Sequence, residues 1–264
     1  MTVRTIQQLF DLTGKTALVT GGSRGLGLQL AQALGEAGAK VMLSSRKADD
    51  LVQAAAQLKS AGIDVDWIAA DCSKEADIRA LADETIKRFG HVDILVNNAG
   101  ATWGAPAEDH PVEAWDKVMN LNVRGYFILS QHIAKHSMIP RKSGRIINVA
   151  SIAGLGGNPP EMTMLAYNTS KGAVINFTRA LGCEWGKYNI TVNAICPGFF
   201  PSKMTMGTLK ALGEEQLAAH APLRRLGDDE DLKGLCVLYA SSAGKHITAQ
   251  WLAVDGGVSA VTGG

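Results

Sequence analysis

Short apolar runs alternate along this chain with longer stretches in which apolar residues recur every three or four positions. The short runs indicate buried strands, and the longer stretches indicate amphipathic helices. The predicted strands are Lys15–Thr20, Lys40–Ser44, Val65–Ala69, Ile94–Asn97, Gly144–Val149, Ile190–Ile195 and Trp251–Val254. The predicted helices are Leu26–Glu36, Asp49–Ala61, Ser73–Phe89 with Ser73 as its N-cap, Trp115–Met138 and Leu165–Lys187.

This alternation predicts an α/β fold in which seven parallel strands form a doubly wound sheet with helices on both faces. Such a sheet binds ligands at the carboxyl ends of its strands, where the direction of winding reverses. No linker interrupts the series, so we expect residues 1–264 to form one domain. The longest irregular stretch, Gly198–Arg225, is expected to form a mobile helical lid.

Composition and charge exclude several function classes. The 264 residues are 46% hydrophobic and carry a formal net charge of +1, which argues against nucleic acid or a membrane surface as the main partner. No stretch has the roughly 18 consecutive apolar residues of a membrane span, and the N-terminus does not resemble a secretory signal. The four widely spaced cysteines form no Cys-x-x-Cys pair, so we expect no metal site, no disulfides and a cytoplasmic location.

A glycine-rich turn follows the first predicted strand. Its first glycine allows a sharp turn, the second lets backbone approach a pyrophosphate, and the third allows close packing of helix on sheet. The following helix offers free N–H groups to the phosphates. The residues expected to contact the cofactor are Gly21, Ser23, Arg24, Gly25, Leu26 and Gly27. An ordinary strand-to-helix turn is the alternative, but the position in the first βαβ unit favours a dinucleotide site.

The end of the second strand distinguishes NAD from NADP. An NAD site places Asp or Glu here to bind the ribose 2′-hydroxyl, whereas this chain has Ser44, Ser45, Arg46 and Lys47. A guanidinium grips a 2′-phosphate with two hydrogen bonds, and Arg24 approaches the same position from the glycine turn. These residues predict NADP(H) as the cofactor, with solvated surface charge as the alternative for Arg46 and Lys47.

Two more strand ends are candidates for contacts with the adenosine. Asp71, after the third strand, is a candidate for the adenine edge, with Cys72 beside it. Asn98, Ala99 and Gly100 follow the fourth strand, where small residues let the chain pass close to the adenosine ribose. A plain Asx-type turn is the alternative for this second group.

The candidate catalytic residues follow the middle of the sheet. Tyr167 and Lys171 lie four residues apart on a predicted helix and share one face, although such pairs also occur by chance. A nearby ammonium is expected to lower the pKa of the phenol, which makes a proton donor and acceptor. Ser151, at a strand end, is placed to donate a hydrogen bond to a substrate carbonyl. Asn122 is either a tolerated polar residue or marks a backbone distortion that frees a carbonyl to hold a water beside Lys171.

Together these residues resemble the short-chain dehydrogenase/reductase family, whose members have a Rossmann fold. The motifs that match are Thr20–Gly27, Asn97–Gly100, Asn122, Ser151, Tyr167–Lys171, Asn193, Pro197–Gly198 and Val254–Gly257. The resemblance implies that Tyr167 is the acid/base, Ser151 polarises the carbonyl, Lys171 binds the nicotinamide ribose and Asn122 holds a relay water.

The same resemblance implies that Pro197 and Gly198 also contact the cofactor. It further implies a homotetramer or dimer built from the two long helices and the C-terminal strand. Two positions depart from the family pattern. Ser151 precedes Tyr167 by sixteen residues instead of the usual thirteen, which reshapes one wall of the substrate pocket. Ala249 stands where glycine is common, with no functional effect expected.

Within that family, two regions of the chain look like the 3-oxoacyl reductases of rhamnolipid synthesis, and the second also looks like gluconate 5-dehydrogenases. These regions are Asn97–Gly104 with Trp115–Met119, and Pro197–Thr205. The expected pocket wall is Trp103, Leu155, Met162, Met164, Phe199, Phe200, Met204 and Met206. Of these, Trp103, Phe199 and Met204 are expected to contact substrate, as is Ser151. Methionines and aromatics suit an acyl chain, although packing of the lid onto the core is the alternative for each.

Three hypotheses about function follow. The first is an NADPH-dependent oxidoreductase that acts on a 3-oxoacyl thioester or a related ketone. The second is a sugar-acid or polyol dehydrogenase with the same machinery, for which Lys203 and Arg224 are the available cations. The third is a catalytically silent NADP-binding sensor or scaffold, which the intact catalytic set argues against.

Overall fold

A computed structural model of the chain describes residues 3–203, 205–207 and 213–261. Its sheet consists of β1 (Thr16–Thr20), β2 (Lys40–Ser45), β3 (Val65–Ala69), β4 (Ile94–Asn97), β5 (Gly144–Val149), β6 (Ile190–Pro197) and β7 (Trp251–Val254). The seven strands pair in parallel in the order β3-β2-β1-β4-β5-β6-β7. The predicted fold class, a doubly wound parallel sheet, is therefore confirmed.

The helices cover both faces of this sheet. They are α1 (Ile6–Phe10), α2 (Gly25–Glu36), α3 (Ala48–Ser60), α4 (Glu75–Phe89), α5 (Val112–Met119), α6 (Gly125–Ile133), α7 (Ile139–Arg141), α8 (Leu165–Trp185), α9 (Glu214–His220) and α10 (Lys233–Ala240). Alternate strand residues pack against opposite layers. Val19 and Leu43 face α2, α3 and α10, whereas Leu18 and Met42 face α4 and α6. Burial on both sides explains why the strands are continuous apolar runs.

The order of the strands places a crevice at the centre of the sheet. The chain moves outward from β1 through β2 to β3 and then returns to β4 on the other side of β1. The first turns of helix after β1 and β4 therefore diverge, and the carboxyl ends of these two strands face an open cleft. Thr20 ends β1 and Asn97 ends β4, so the residues that follow them line that cleft.

Two predicted helices differ from the structure. Ser73 does not cap α4, which begins two residues later behind Lys74, because the Ser73 hydroxyl donates to Asp71 Oδ1 at 2.7 Å. The long helix predicted at Trp115–Met138 is instead α5, α6 and α7, joined by π turns at Asn120–Arg124 and Ala134–Met138. A π turn adds one residue without ending the helix, so the apolar pattern alone does not show it.

Three regions were absent from the prediction or are only partly described. The short helix α1 was not predicted, and neither was α10, whose apolar residues surround the helix and give little periodic contrast. In the expected lid at residues 198–225, the described part contains α9. Mobility of that segment stays a prediction.

Candidate active site

The glycine turn after β1 forms one wall of the cleft. Gly21 and Gly25 adopt positive φ angles of 65° and 52°, which favour glycine. A Cβ at Gly27 would lie 2.2 Å from the Gly21 carbonyl oxygen, so only glycine lets α2 begin this close to β1. A Cβ at Gly25 would meet nothing closer than 3.8 Å, which leaves its backbone open to the cleft. Leu26, by contrast, packs against the core.

Thr20 joins the glycine turn to the chain after β4, and it was not among the predicted site residues. Its hydroxyl oxygen accepts hydrogen bonds from the backbone N–H groups of Asn98 at 3.0 Å and Ala99 at 3.1 Å. The Asn98 side chain donates in return to the carbonyls of Thr20 at 2.9 Å and Gly21 at 3.3 Å. These bonds hold the two segments that flank the cleft at a fixed separation. A hydroxyl at the last residue of a buried strand was the available signal.

The residues expected at the 2′-phosphate lie together at the ends of β1 and β2. Thr20 is opposite Ser44 in the sheet, so Arg24 and Arg46 project from neighbouring strand ends, and both are exposed. The Ser45 hydroxyl oxygen is buried and has no hydrogen-bond partner among the described residues. Arg24 Nη1 lies 3.4 Å from Asp50 Oδ2 on α3.

Asp71 and Cys72 follow β3 and behave differently from each other. Partial burial would raise the pKa of Asp71, but hydrogen bonds from the Ser73 hydroxyl and N–H, together with the charge of Arg46, hold it below its usual range. Burial raises the pKa of the Cys72 thiol to about 12. Its side chain packs in the core against α4 and α6, so only its backbone is available to a ligand.

Lys171 is buried one turn of α8 after Tyr167. It is 3% exposed, and its Nζ donates to the Val149 carbonyl oxygen at the end of β5 over 2.7 Å. The same Nζ lies 5.6 Å from the centre of the Tyr167 ring and 5.8 Å from that of the buried Tyr126 ring. The structure therefore brings together the predicted pair and adds Tyr126, which the sequence did not indicate.

The pKa values of this pair differ from the expected direction. The Lys171 ammonium was expected to lower the pKa of Tyr167, but burial raises that pKa, with hydrogen bonding from Ser151 acting in the opposite direction. Burial also lowers the pKa of Lys171 to about 8. The expectation was wrong because it considered only the attraction between the charges and left out the desolvation of both groups.

Asn122 lies in the π turn after α5 and is completely buried. Its Oδ1 accepts from the Ala101 N–H at 2.8 Å, and its Nδ2 donates to the Ala101 carbonyl and to Ser170 Oγ, each at 2.9 Å. Ser170 Oγ in turn donates to the Tyr167 carbonyl at 2.7 Å. A Cβ at Gly100 would lie 3.4 Å from Asn122 Oδ1 and 3.8 Å from Lys171 Nζ. The network thus connects the chain after β4 to the turn of α8 that carries Tyr167.

Ser151 follows β5 and is 9% exposed. Its hydroxyl oxygen accepts from the Ala153 N–H at 3.1 Å, and the hydroxyl is also close enough to Tyr167 for its hydrogen bonding to lower the pKa of that phenol. Cys196 on β6 lies beside both Ser151 and Lys171, and burial raises its pKa to about 11. The thiol is therefore neutral and acts as apolar packing under the site.

Residues 156–164 form a loop that contains the three extra residues between Ser151 and Tyr167. Asn158 Nδ2 donates to Asn168 Oδ1 at 3.1 Å, and Asn168 Nδ2 donates to the Gly156 carbonyl at 3.3 Å. The far end of the loop is held by the Ala105 N–H, which donates to the Thr163 carbonyl at 2.9 Å. This loop therefore spans from α8 to the chain after β4 and closes one side of the cleft.

The remaining predicted contacts divide into exposed and buried residues. Trp103 is 41% exposed, and Phe199 is half-buried, so both can meet a ligand. Phe200 is 3% exposed and packs in the core, as the alternative interpretation held. Gly198 directly follows β6, and its N–H donates to the Val254 carbonyl at 3.0 Å. Met204 lies outside the described residues.

The cleft fits a dinucleotide on three observations. The open backbone at Gly25 and the start of α2 suit a pyrophosphate. The unpartnered Ser45 hydroxyl and two guanidiniums suit a 2′-phosphate. Gly100 leaves the space beside Asn122 and Lys171 free of side chain. Across residues 3–203, 205–207 and 213–261, no helix combines the length and apolar character needed to cross a membrane, and no cluster of His, Cys, Asp or Glu could hold a metal ion.

Known proteins are similar to this chain over nearly all of its length. The model of the short chain dehydrogenase family matches residues 15–212. The chain is 40% identical over 254 residues to the rhamnolipid-biosynthesis 3-oxoacyl-acyl-carrier-protein reductase of Pseudomonas aeruginosa, covering 94% of this chain and 97% of that protein. It is 36% identical over 257 residues to gluconate 5-dehydrogenase of Gluconobacter oxydans, covering 95% and 97%. Its structure matches a Burkholderia cenocepacia gluconate 5-dehydrogenase in complex with NADP and tartrate, with a TM-score of 0.92, 34% identity and coverage of 98% and 100%.

Proposed function

The chain belongs to the short-chain dehydrogenase family, and we propose that it reduces the ketone of a 3-oxoacyl thioester or a related acyl-chain substrate with NADPH. The observation that supports this most is the convergence of Tyr167, Lys171, Ser151 and Asn122 on one cleft beside Gly100. Family membership makes the chain an oxidoreductase, so the scaffold hypothesis is not retained.

NADP(H) is the cofactor. The residues at the end of β2 include no carboxylate, and two guanidiniums and the Ser45 hydroxyl occupy the place where an NAD site has one. A structural neighbour with 34% identity was crystallised with NADP. In this proposal, the glycine turn from Gly21 to Gly27 holds the pyrophosphate, and Asn98 and Ala99 lie against the adenosine ribose.

When bound, NADPH supplies the hydride that the carbonyl carbon accepts. The Tyr167 hydroxyl donates a proton to the carbonyl oxygen, and Ser151 donates a hydrogen bond to the same oxygen. Burial raises the pKa of Tyr167, so the phenol is protonated at neutral pH and ready for reduction. The Lys171 ammonium restores that proton from solvent, and a pKa of about 8 makes it an efficient carrier near neutral pH. Asn122 holds the π turn whose backbone completes this proton path.

Exposed apolar side chains around the cleft support an acyl substrate. Trp103, Leu165 and Met206 are 41%, 44% and 48% exposed, and each follows a strand end or begins α8 on the cleft side of the sheet. An acyl chain packed against them would remove apolar surface from water. A sugar acid would instead require a free cation. The cations at hand are Lys203 and Arg224, and one Nη of Arg224 also donates to the Ala219 carbonyl.

The second candidate is a sugar-acid dehydrogenase. Its support is the similarity over the whole chain to the Gluconobacter oxydans and Burkholderia cenocepacia gluconate 5-dehydrogenases. Both candidates use the same catalytic residues and differ only in the pocket walls. The Pseudomonas aeruginosa relative has the higher sequence identity, 40% against 36%, and its name agrees with the apolar walls.

A substrate comparison tests the proposal. Purified protein is mixed with NADPH and either acetoacetyl-coenzyme A or 5-ketogluconate, and the decrease in NADPH absorbance is followed. We expect kcat/KM to be higher for the thioester and higher with NADPH than with NADH. Turnover of the keto-sugar alone would contradict the acyl assignment. A kcat/KM with NADH equal to or above that with NADPH would contradict the cofactor assignment.

We also propose that the whole chain is one catalytic domain and that copies assemble as a homotetramer or dimer. Phe127 on α6 and Leu252 on β7 are 47% and 50% exposed, and apolar residues on a helix and an edge strand suit contacts between copies. Light scattering after size-exclusion chromatography measures the assembly, and a monomer would contradict it.

We also propose a cytoplasmic location. All four cysteines are free thiols, which supports a reducing, cytoplasmic compartment.

A further inference from the structure

Arg24, the guanidinium nearest the glycine turn, already has a partner. Its Nη1 lies 3.4 Å from Asp50 Oδ2. Arg24 immediately precedes α2, whereas Asp50 belongs to the first turn of α3. The ion pair therefore bridges the two helix starts that flank the end of β2, where the 2′-phosphate of NADP is expected.

The position of Asp50 makes it a neighbour of any group bound there. Helix α3 begins at Ala48, two residues after Arg46, so its first turn rises directly from the strand end that carries the buried Ser45 hydroxyl. The Asp50 side chain is 35% exposed and that of Arg24 is 55% exposed. The pair therefore lies at the solvent-exposed edge of the expected 2′-phosphate position and not buried beneath it. A carboxylate thus stands at a position where the other groups favour an anion.

We propose that Asp50 competes with the cofactor 2′-phosphate for Arg24 and thereby limits the preference for NADP over NAD. This inference rests on the proposed use of NADP(H). A cofactor with a 2′-phosphate must displace the carboxylate from the guanidinium and also approaches its negative charge. A cofactor without the phosphate leaves the Arg24–Asp50 pair intact. Asp50 therefore weakens the binding of one cofactor and leaves that of the other unchanged.

The size of the effect follows from the exposure of the pair. An exposed ion pair contributes at most about 1 kcal/mol, which corresponds to about a fivefold change in a dissociation constant. Removing the carboxylate should therefore tighten NADPH binding by up to about fivefold. Salt screens exposed charges, so the gain should shrink as ionic strength rises.

The experiment compares Asp50→Asn with Asp49→Asn. Both residues lie in the first turn of α3 and both substitutions remove one negative charge, but Asp49 is exposed and makes no ion pair within the described ranges. Dissociation constants for NADPH and NADH are measured by isothermal titration calorimetry, without turnover. We expect Asp50→Asn to tighten NADPH binding by up to about fivefold, with NADH unchanged and with a much smaller effect of Asp49→Asn.

A second background separates the mechanism from a general charge effect. In an Arg24→Gln chain, Asp50→Asn should tighten NADPH binding much less than it does in wild type, because the guanidinium for which Asp50 competes is gone and only the direct repulsion of the phosphate remains. Weaker NADPH binding by Asp50→Asn would overturn the proposal and show that Asp50 orients Arg24 for the phosphate. Equal tightening of NADPH and NADH, or equal effects at Asp49, would overturn it as well. Failure of wild type to bind NADPH would instead contradict the proposed function.

Discussion

The substitution Asn122→Ala probes the network that joins the two halves of the site. It removes three hydrogen bonds from a completely buried side chain: two with Ala101 and one with Ser170. Each contributes about 1 kcal/mol net. The free energy of unfolding should therefore fall by about 3 kcal/mol, because the half-buried Ala101 backbone loses both of its side-chain partners.

The assay is urea unfolding followed by circular dichroism, with Asn120→Ala as the matched control. Asn120 lies in the same π turn, but its side chain is exposed. The control should change the free energy of unfolding by less than about 0.5 kcal/mol. Both variants replace asparagine with alanine in one helical turn, so helix propensity cancels in the comparison.

The same variant should separate cofactor binding from turnover. The glycine turn and its bonds to Thr20 do not involve Asn122, so the dissociation constant for NADPH should change little, whereas kcat should fall because the segment from Gly100 to Ala101 loses its anchor. A loss of stability no larger than that of Asn120→Ala would refute the network as a structural link. A loss of NADPH binding equal to the loss of kcat would refute its separation from the cofactor turn.

Three further predictions concern pH, backbone strain and the glycine turn. Burial lowers the pKa of Lys171 to about 8, so between pH 8 and 10 the unfolded chain keeps a proton that the folded chain has lost, and stability rises with pH. In urea unfolding, the rise in the free energy of unfolding between pH 8 and 10 should be about 2–3 kcal/mol smaller for Lys171→Met than for wild type. The same rise in both proteins would contradict the lowered pKa of Lys171. Ala249 has a φ of 60°, which is strained for alanine and relaxed for glycine. Ala249→Gly should therefore raise the free energy of unfolding by about 0.5–1 kcal/mol. A lower thermal midpoint in the variant would contradict this. A Cβ at Gly27 would lie 2.2 Å from the Gly21 oxygen and 2.4 Å from Asn98 Nδ2. Gly27→Ala should therefore weaken NADPH binding about tenfold or more in a fluorescence titration. Unchanged binding would contradict the close packing of α2 against this turn.

The sheet was predictable because each strand is buried on both faces and therefore appears as an apolar run. Val65–Ala69, Ile94–Asn97, Gly144–Val149 and Trp251–Val254 have the bounds that were predicted. Helix α10 was missed because its apolar residues surround the helix, and the start of α4 was misplaced because the Ser73 hydroxyl binds Asp71 instead of the helix. The local pattern of apolar and polar residues thus identifies elements in which the two kinds of residue contrast clearly, and it misses elements without that contrast.

The site was predictable in its residue types and less so in their partners. Asn122 suggested a distortion in the long helix, and the structure has a π turn there. Its partners, Ala101 and Ser170, lie 21 and 48 residues away, which no local pattern indicates. The pair of Arg24 and Asp50, 26 residues apart, was invisible for the same reason. The predicted shift of the Tyr167 pKa had the wrong direction, because the burial that raises this pKa arises only in the assembled fold.

In the proposed reaction, the Tyr167 hydroxyl is the proton donor to a carbonyl that NADPH reduces. The direct test is the single-turnover rate of NADPH oxidation with acetoacetyl-coenzyme A in wild type and in Tyr167→Phe, alongside the NADPH dissociation constant of each. We expect a rate about a thousandfold lower in the variant, with NADPH binding unchanged, because phenylalanine keeps the ring and removes only the hydroxyl group that supplies the proton. A Tyr167→Phe rate within about tenfold of wild type would contradict the claim.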